Sequence, residues 1–442
     1  MTAAGALREI TAPGGAREAW LAAGCPPLEP LAEMAAGSGL IRIPAPGQAG
    51  WASRDGTSWR RTPAPALPSW LAADHGRPVA ARLLLARRGT PDVITVLADA
   101  GAVTAREAAG WLGWPGTGAA SISEALASRS NDYRALDLAA AALGLGPMDT
   151  ARSPALPFPD GISVILPARG VGDVLPLATR AIAAAAAGLA PGTPWEALIV
   201  DDASDPPLAL PEGLPRQIRI VRSERRLHCG GARNRGAALA GHGLLVFCDA
   251  DTVLAPGYLR EHAARHLIAP NLITVSLREY LPAGCPVPGR DPGGQRDTRA
   301  VASYEPGRPG LVPVTEPVTV RPLAETRGWR DFGSGRLLGP VDLPFMVKGN
   351  NLAVGARTAG TVPFPPDFTG WGPEDVCFAA RAIARGAFVI PVLSTGVFHL
   401  DHPPRSGSPE IRDAELAANL RRYARHLAAP AGGPWPGGTA RR

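Results

Sequence analysis

Short, continuous apolar runs recur through the middle of the chain, each closing on a proline or a polar position. Ile162, Val164 and Ile165 form the first, which ends at Pro167. Ala197–Val200 form the second and stop at Asp201-Asp202; Ile218–Val221 form the third. Leu244–Cys248 form the fourth and stop at Asp249-Ala-Asp251. Such runs, separated by stretches long enough for a helix, predict parallel strands covered on both faces. Sheets of that class take ligands at the carboxyl ends of their strands, and the acidic pairs fall there. The apolar stretch Leu175 to Ala190 is mostly Ala and contains Arg180, so it predicts a buried helix and not a membrane span.

The pattern before this region is different. Pro44, Pro46, Pro63, Pro65 and Pro68, with Gly37, Gly39 and Gly47, break any regular period, which predicts an irregular arm over residues 1–75. Residues 76–155 predict a small helical domain and a linker. Thr104 with Glu107, and Ser121 with Glu124, have the spacing of helix-start capping boxes. Ala98 to Gly113 can be read as a helix-turn-helix, but no Arg/Lys-rich recognition helix follows, so simple helix packing is the better reading. An α/β domain then spans 156–404, and 405–442 predicts a C-terminal helix with a flexible tail.

Composition narrows the classes. Hydrophobic residues make up 45% of the 442, enough for a real core despite 52 Gly and 48 Pro. The net charge of +6 comes almost wholly from Arg; Lys348 is the only lysine. That usage, with abundant Ala, Gly and Pro, reflects a GC-rich coding bias, and no like-charge run marks a nucleic-acid-binding arm. Five cysteines are scattered without a CxxC pair, which argues against a disulfide framework or a zinc knuckle and for a reducing compartment. The N-terminus lacks the features of a signal peptide. The expectation is a soluble, cytoplasmic protein without a transmembrane segment or a nucleic-acid partner.

Two carboxylates two residues apart, just past a buried strand, are poorly tolerated without a cation, which makes Asp249 and Asp251 the leading metal candidates. Oxygen ligands suit Mg2+ or Mn2+, either of which can bridge a diphosphate. A strand-end turn with side-chain-to-backbone bonds is the alternative. Asp201 and Asp202 end a strand in the same way; either could accept from a base imide or a ribose hydroxyl, while Asp202 or Ser204 could equally cap a helix.

The order of the segments VILPARG (with Pro167), IVDDAS, GGARNRG and FCDAD resembles a family 2 glycosyltransferase of the GT-A, nucleotide-diphospho-sugar fold. Downstream, FMVKGNNLAV around Asn350 resembles the segment before an acceptor site. Gly370-Trp-Gly-Pro-Glu-Asp375 resembles the GWGGED motif of galactosyltransferase-like and chondroitin-polymerase-like members, with Pro373 in place of a Gly. The first motif has Ala168-Arg169-Gly170 where the family often has Thr-Tyr-Asn.

The resemblance implies a doubly wound, mostly parallel sheet preceded by the small helical domain. It implies a donor site at Pro167, Asp201, Asp202, Arg233 and Asp249, with Asp202 reading the base and Arg233 near the base and diphosphate. A metal would be held by Asp251 and His399, with His402 as the alternative. Asp375 would be the catalytic base and Glu374 a sugar ligand, with Trp371, Gly372 and Asn350 on the acceptor side. The implied activity is metal-dependent, inverting transfer of a hexosyl or N-acetylhexosaminyl group from a nucleotide sugar, UDP-linked by preference. The acceptor is an unspecified glycan, metabolite or peptide, which the N-terminal helical domain could dock. Two other classes remain: a sugar-1-phosphate nucleotidyltransferase, and a non-catalytic protein that binds sugar nucleotides or glycans. Phe388 to Val392 is read as a strand followed by a turn before His399.

Overall fold

In a computed structural model of the chain, residues 155–171, 174–281, 342–400 and 408–432 are described continuously, together with 121–129, five short strands elsewhere and isolated positions between them. The helix-turn-helix reading at Ala98 to Gly113, the Thr104/Glu107 box and His402 lie outside the described residues. Two compact units divide the chain. One comprises Met1–Trp114, Asp132–Pro154 and Ala264–Pro270; the other comprises Pro115–Asn131, Ala155–Ala263 and Asn271–Arg442.

In the first unit, within the arm expected to be irregular, Trp51–Asp55 and Ser58–Thr62 pair as an antiparallel hairpin. Arg265, 2% exposed, donates from Nε to Met148 O (2.8 Å) and from Nη1 to Ser153 Oγ (2.5 Å).

The second unit is α/β. In chain order its first elements are α1 (Ile122–Ala127), β1 (Ile162–Ala168), α2 (Leu175–Ala187), β2 (Trp195–Asp202), β3 (Ile218–Ser223), α3 (His228–Leu239), β4 (Leu244–Phe247) and β5 (Thr252–Leu254). Then come α4 (Tyr258–His266, whose last three residues fall in the first unit), β6 (Leu272–Leu281), β7 (Arg321–Pro322), β8 (Leu352–Gly355), α5 (Ala356–Thr361), α6 (Glu374–Ala384), β9 (Phe388–Leu400) and α7 (Pro409–Leu427). A further short pair, Pro286–Pro288 with Ala300–Ser303, stands apart from the main sheet.

Eight strands run in the order β3-β2-β1-β4-β8-β6-β9-β5, and β7 pairs with β6 off that path. The half formed by the four runs read from the sequence is parallel: β2 with β3, β1 with β2, and β1 with β4. Beyond β4 the sheet is mixed. β8 lies antiparallel between β4 and β6, β9 is parallel to β6, and β5 is antiparallel to β9. This mixed α/β sheet is consistent with a GT-A fold, and it is parallel in one half only, where a mostly parallel sheet was expected. Among the described residues no helix is long and apolar enough to cross a membrane.

The core explains the pattern. Every residue of β4 and nearly all of β1 is buried, as continuous apolar runs require. Phe247 of β4 meets Phe364 edge-on at 5.2 Å, and Phe364 stacks on Phe378 of α6 at 4.5 Å, joining the parallel half to the acidic-motif helix. α1 belongs to this core: Ile122 and Leu126 are buried in it, and Ile122 N donates to Ala429 O. Its start carries the capping box expected of Ser121 and Glu124, with both reciprocal bonds present (2.9 and 3.2 Å).

Candidate active site

Each carboxyl end of the parallel strands carries polar residues, and the structure gives them distinct uses. Asp201, at the end of β2, is buried. Its oxygens accept from Ser204 N (2.9 Å), Leu208 N (3.3 Å) and Arg222 Nη1 (2.7 Å). Burial works to raise its pKa, but these bonds outweigh it and hold the carboxyl below the ordinary range. Arg222 is its register neighbour on β3, so strand pairing itself makes this ion pair. Asp202 points the other way. Its oxygens accept from Leu227 N and from His228 N (3.0 Å), the first donors of α3, whose N-cap residue Leu227 has no capping side chain. The capping use considered for Asp202 is therefore present, supplied from a neighbouring strand.

Past β4, Asp249 and Asp251 flank the turn into β5. Thr252 of β5 is paired in register with His399 of β9, and Leu400 N donates to Asp251 O (2.9 Å), so His399 stands beside the acidic turn. This corrects the reading of a strand ending at Val392. A register shift between Val392 and Gly396 lets β9 resume pairing and run on to Leu400, which puts His399 on a strand and not in a loop. Nδ1 of His399 lies 2.9 Å from Leu400 O.

Arg233 of α3 joins the two acidic motifs. It is 2% exposed. Nη2 donates to Asp249 Oδ1 (2.9 Å) and Nη1 to Glu374 Oε1 (2.7 Å). The Phe364 ring lies 5.3 Å from its guanidinium carbon, and the backbone of Gly349 packs against the same group. Burial opposes the charge, yet Asp249 and Glu374 hold the guanidinium charged more firmly than usual. Asp249 is pushed above the ordinary carboxylate range by burial and by Asp251, against the pull of Arg233. Burial, with Asp375 beside it, pushes Glu374 up to about 7 despite its Arg233 partner.

Glu374 and Asp375 open α6, where acids favour the positive helix end. Pro373 is the N-cap residue. Asp375 Oδ2 accepts from Gly349 N (2.8 Å) and Oδ1 from Val376 N (2.8 Å), so the GNN segment and the acidic motif meet. Asn350 Oδ1 accepts from Arg278 Nη1 (2.8 Å). Its neighbour Asn351, which the sequence reading passed over, anchors the segment: Oδ1 accepts from Tyr258 OH (3.1 Å) and Ser276 Oγ (2.6 Å), and Nδ2 donates to Ser276 O (2.6 Å). Its one visible signal is the doubled Asn of the motif. Trp371 is 51% exposed, and Pro167 lies in β1 opposite Val200.

The donor set suits a hard cation incompletely. Asp249 and Asp251 repel one another and His399 lies close enough to affect Asp249. Among the described residues, however, no group of three or more His, Cys, Asp or Glu is arranged to hold a metal ion. These residues fit an ion that takes most of its oxygens from a bound diphosphate and water, as Mg2+ and Mn2+ do.

Residues 163–281 match the model of glycosyl transferase family 2. No protein of curated function matches the chain. Among solved structures, the chain is similar to a crystal structure of GalNAc-T7 with UDP, GalNAc and Mn2+, at 16% identity and a TM-score of 0.34. The likeness covers 60% of this chain and 48% of that one, so the chain spans about half the length of the structure it resembles.

Proposed function

We propose that this protein is an inverting glycosyltransferase that moves a sugar from a nucleotide-diphospho-sugar, UDP-linked by preference, to an acceptor hydroxyl. The observation that carries the reading is the convergence of Asp249, Asp251, Arg233, Glu374, Asp375 and His399 at the carboxyl ends of one sheet, from four separate stretches of chain. The family match over β1 to β6 supports it.

In this reading Asp251 and His399, with Asp249 beside them, hold a Mn2+ or Mg2+ ion. When bound, that ion neutralises charge on the departing diphosphate. Asp375 acts as general base. Its two amide bonds fix the carboxylate's orientation, and each oxygen keeps a second lone pair. The acceptor oxygen forms a bond to the anomeric carbon from the face opposite the diphosphate. The carbon–oxygen bond to the diphosphate breaks, its electron pair leaves with the nucleotide, and the acceptor proton passes to Asp375. General-base help of this kind contributes roughly 10² to 10⁴ in rate. Trp371 offers its exposed ring to a sugar face.

The test is melting of the full chain with UDP, GDP and dTDP, each with and without Mn2+, for wild type, Asp251→Asn and Asp375→Asn. One nucleotide at 100 times its dissociation constant should stabilise wild type by about 2.7 kcal/mol in the presence of metal. Asp251→Asn should lose that shift, and Asp375→Asn should keep it while losing transfer. No shift with any nucleotide would sink the donor site and favour a glycan-binding protein.

A further inference from the structure

Helix α7 lies outside the family-matched residues and outside the stretch that the sequence assigns to catalysis. Its polar side chains are nevertheless aimed at the backbone of the loop that carries Trp371. Asn419, fully buried, donates from Nδ2 to Thr369 O (3.0 Å) and to Trp371 O (2.9 Å), and its Oδ1 accepts from Arg422 Nη1. Glu415 Oε2 accepts from Trp371 N (2.8 Å). Arg412 lies over the Trp371 ring at 5.3 Å. Two turns beyond Asn419, buried His426 bonds Asp367 Oδ1 at 2.8 Å and stacks on Phe368.

At Gly370 and Gly372 the approach is closer than a side chain would allow. A Cβ on Gly370, which has φ +71°, would overlap the Glu415 carboxylate, and a Cβ on Gly372 would overlap the Asn419 amide. A helix that only covered core would bury apolar residues, as Tyr423 does, and would not need a buried amide shared between two carbonyls of one loop. The loop ends at Pro373, where α6 begins with Glu374 and Asp375.

We propose that α7 is a working part of the acceptor side of the site, with Glu415 and Asn419 as positioning residues. They hold residues 369–373, and so Trp371 and the first turn of α6, in the geometry that receives an acceptor. The donor side is built on β1 to β5 and α3; it meets this loop where Gly370 N donates to His228 Nδ1 (3.5 Å), and its hold on the nucleotide is expected to be independent of Glu415 and Asn419. This assignment of sides rests on the transferase reading above.

Hydrogen–deuterium exchange on the full chain tests it, alongside UDP binding in the presence of Mn2+. Asn419→Ala should speed exchange in peptides covering 369–376 by about tenfold or more, the scale of losing a shared buried hydrogen-bond donor. Strands β1 and β4 should keep their protection, and UDP affinity should stay within about twofold of wild type. Glu415→Gln, which still offers an oxygen to Trp371 N, should loosen the loop less than Glu415→Ala. Arg421→Ala, an exposed change on the same helix, should do nothing. Wild-type exchange of the loop in Asn419→Ala and Glu415→Ala would overturn the proposal. So would a loss of UDP affinity matching the loosening of the loop, since α7 would then support the whole site. If wild type binds no nucleotide at all, the donor reading fails, while the exchange result still decides whether α7 holds the loop.

Discussion

Arg233 is a single side chain on which both acidic motifs depend. From the sequence it is a cation near a diphosphate; in the fold it is enclosed by Asp249, Glu374, Phe364 and the Gly349 backbone. Removing one member of a buried ion network leaves uncompensated charge and typically costs about 3–5 kcal/mol. Arg233→Met should lower unfolding stability by that order in urea, whereas Glu374→Gln, which leaves Arg233 paired with Asp249, should cost less. Glu374 also sets a pH dependence. Its folded pKa of about 7 lies above the ordinary 4.5, so the folded state binds the proton more tightly than the unfolded chain. That contribution is fully present below pH 4.5 and is lost as pH rises through 7. Urea titrations across this window should show wild type losing stability relative to Glu374→Gln as pH rises. Equal pH slopes would show that Glu374 does not carry the effect. The residue types at this site were legible, because paired acids after apolar runs are conspicuous. Their pairing was not, since Arg233 and Glu374 are 141 positions apart.

Helix α3 begins without a capping side chain of its own and takes its cap from Asp202 on β2. A lost N-cap costs about 0.5–2 kcal/mol, so Asp202→Ala should lower the urea midpoint accordingly, and Asp202→Asn, which keeps one acceptor oxygen, should cost less. An unchanged midpoint would show that the cap is dispensable. The elements best read from sequence were those with local signals. The four apolar runs became β1 to β4, and the Ser121/Glu124 spacing became a capping box. Strand β9 was read short because Ser394, Thr395 and Gly396 interrupt its apolar pattern, while in the sheet a register shift absorbs the interruption. Strands β5 and β8 are three and four residues long, too short to carry a period of their own.

Across the whole α/β unit, Phe247 ties the parallel strands to the acidic-motif helix through Phe364 and Phe378. Phe247→Ala should cost about 3–5 kcal/mol, read as a lower denaturant midpoint; a cost near zero would mean that the aromatic chain does not bind the two halves together. The sequence alone determined the parallel half of the sheet, the ends of its strands and the acidic residue types found there. These follow from short-range rules: buried parallel strands must be continuously apolar, and charge is tolerated only where they end. Only the tertiary structure decided which charges neutralise one another, that Asp202 caps a helix, that β9 carries His399 to the acidic turn, and that α7 closes on the Trp371 loop. Each depends on segments distant in the chain meeting within about 3 Å, a geometry that hydrogen bonding requires and that no local pattern encodes.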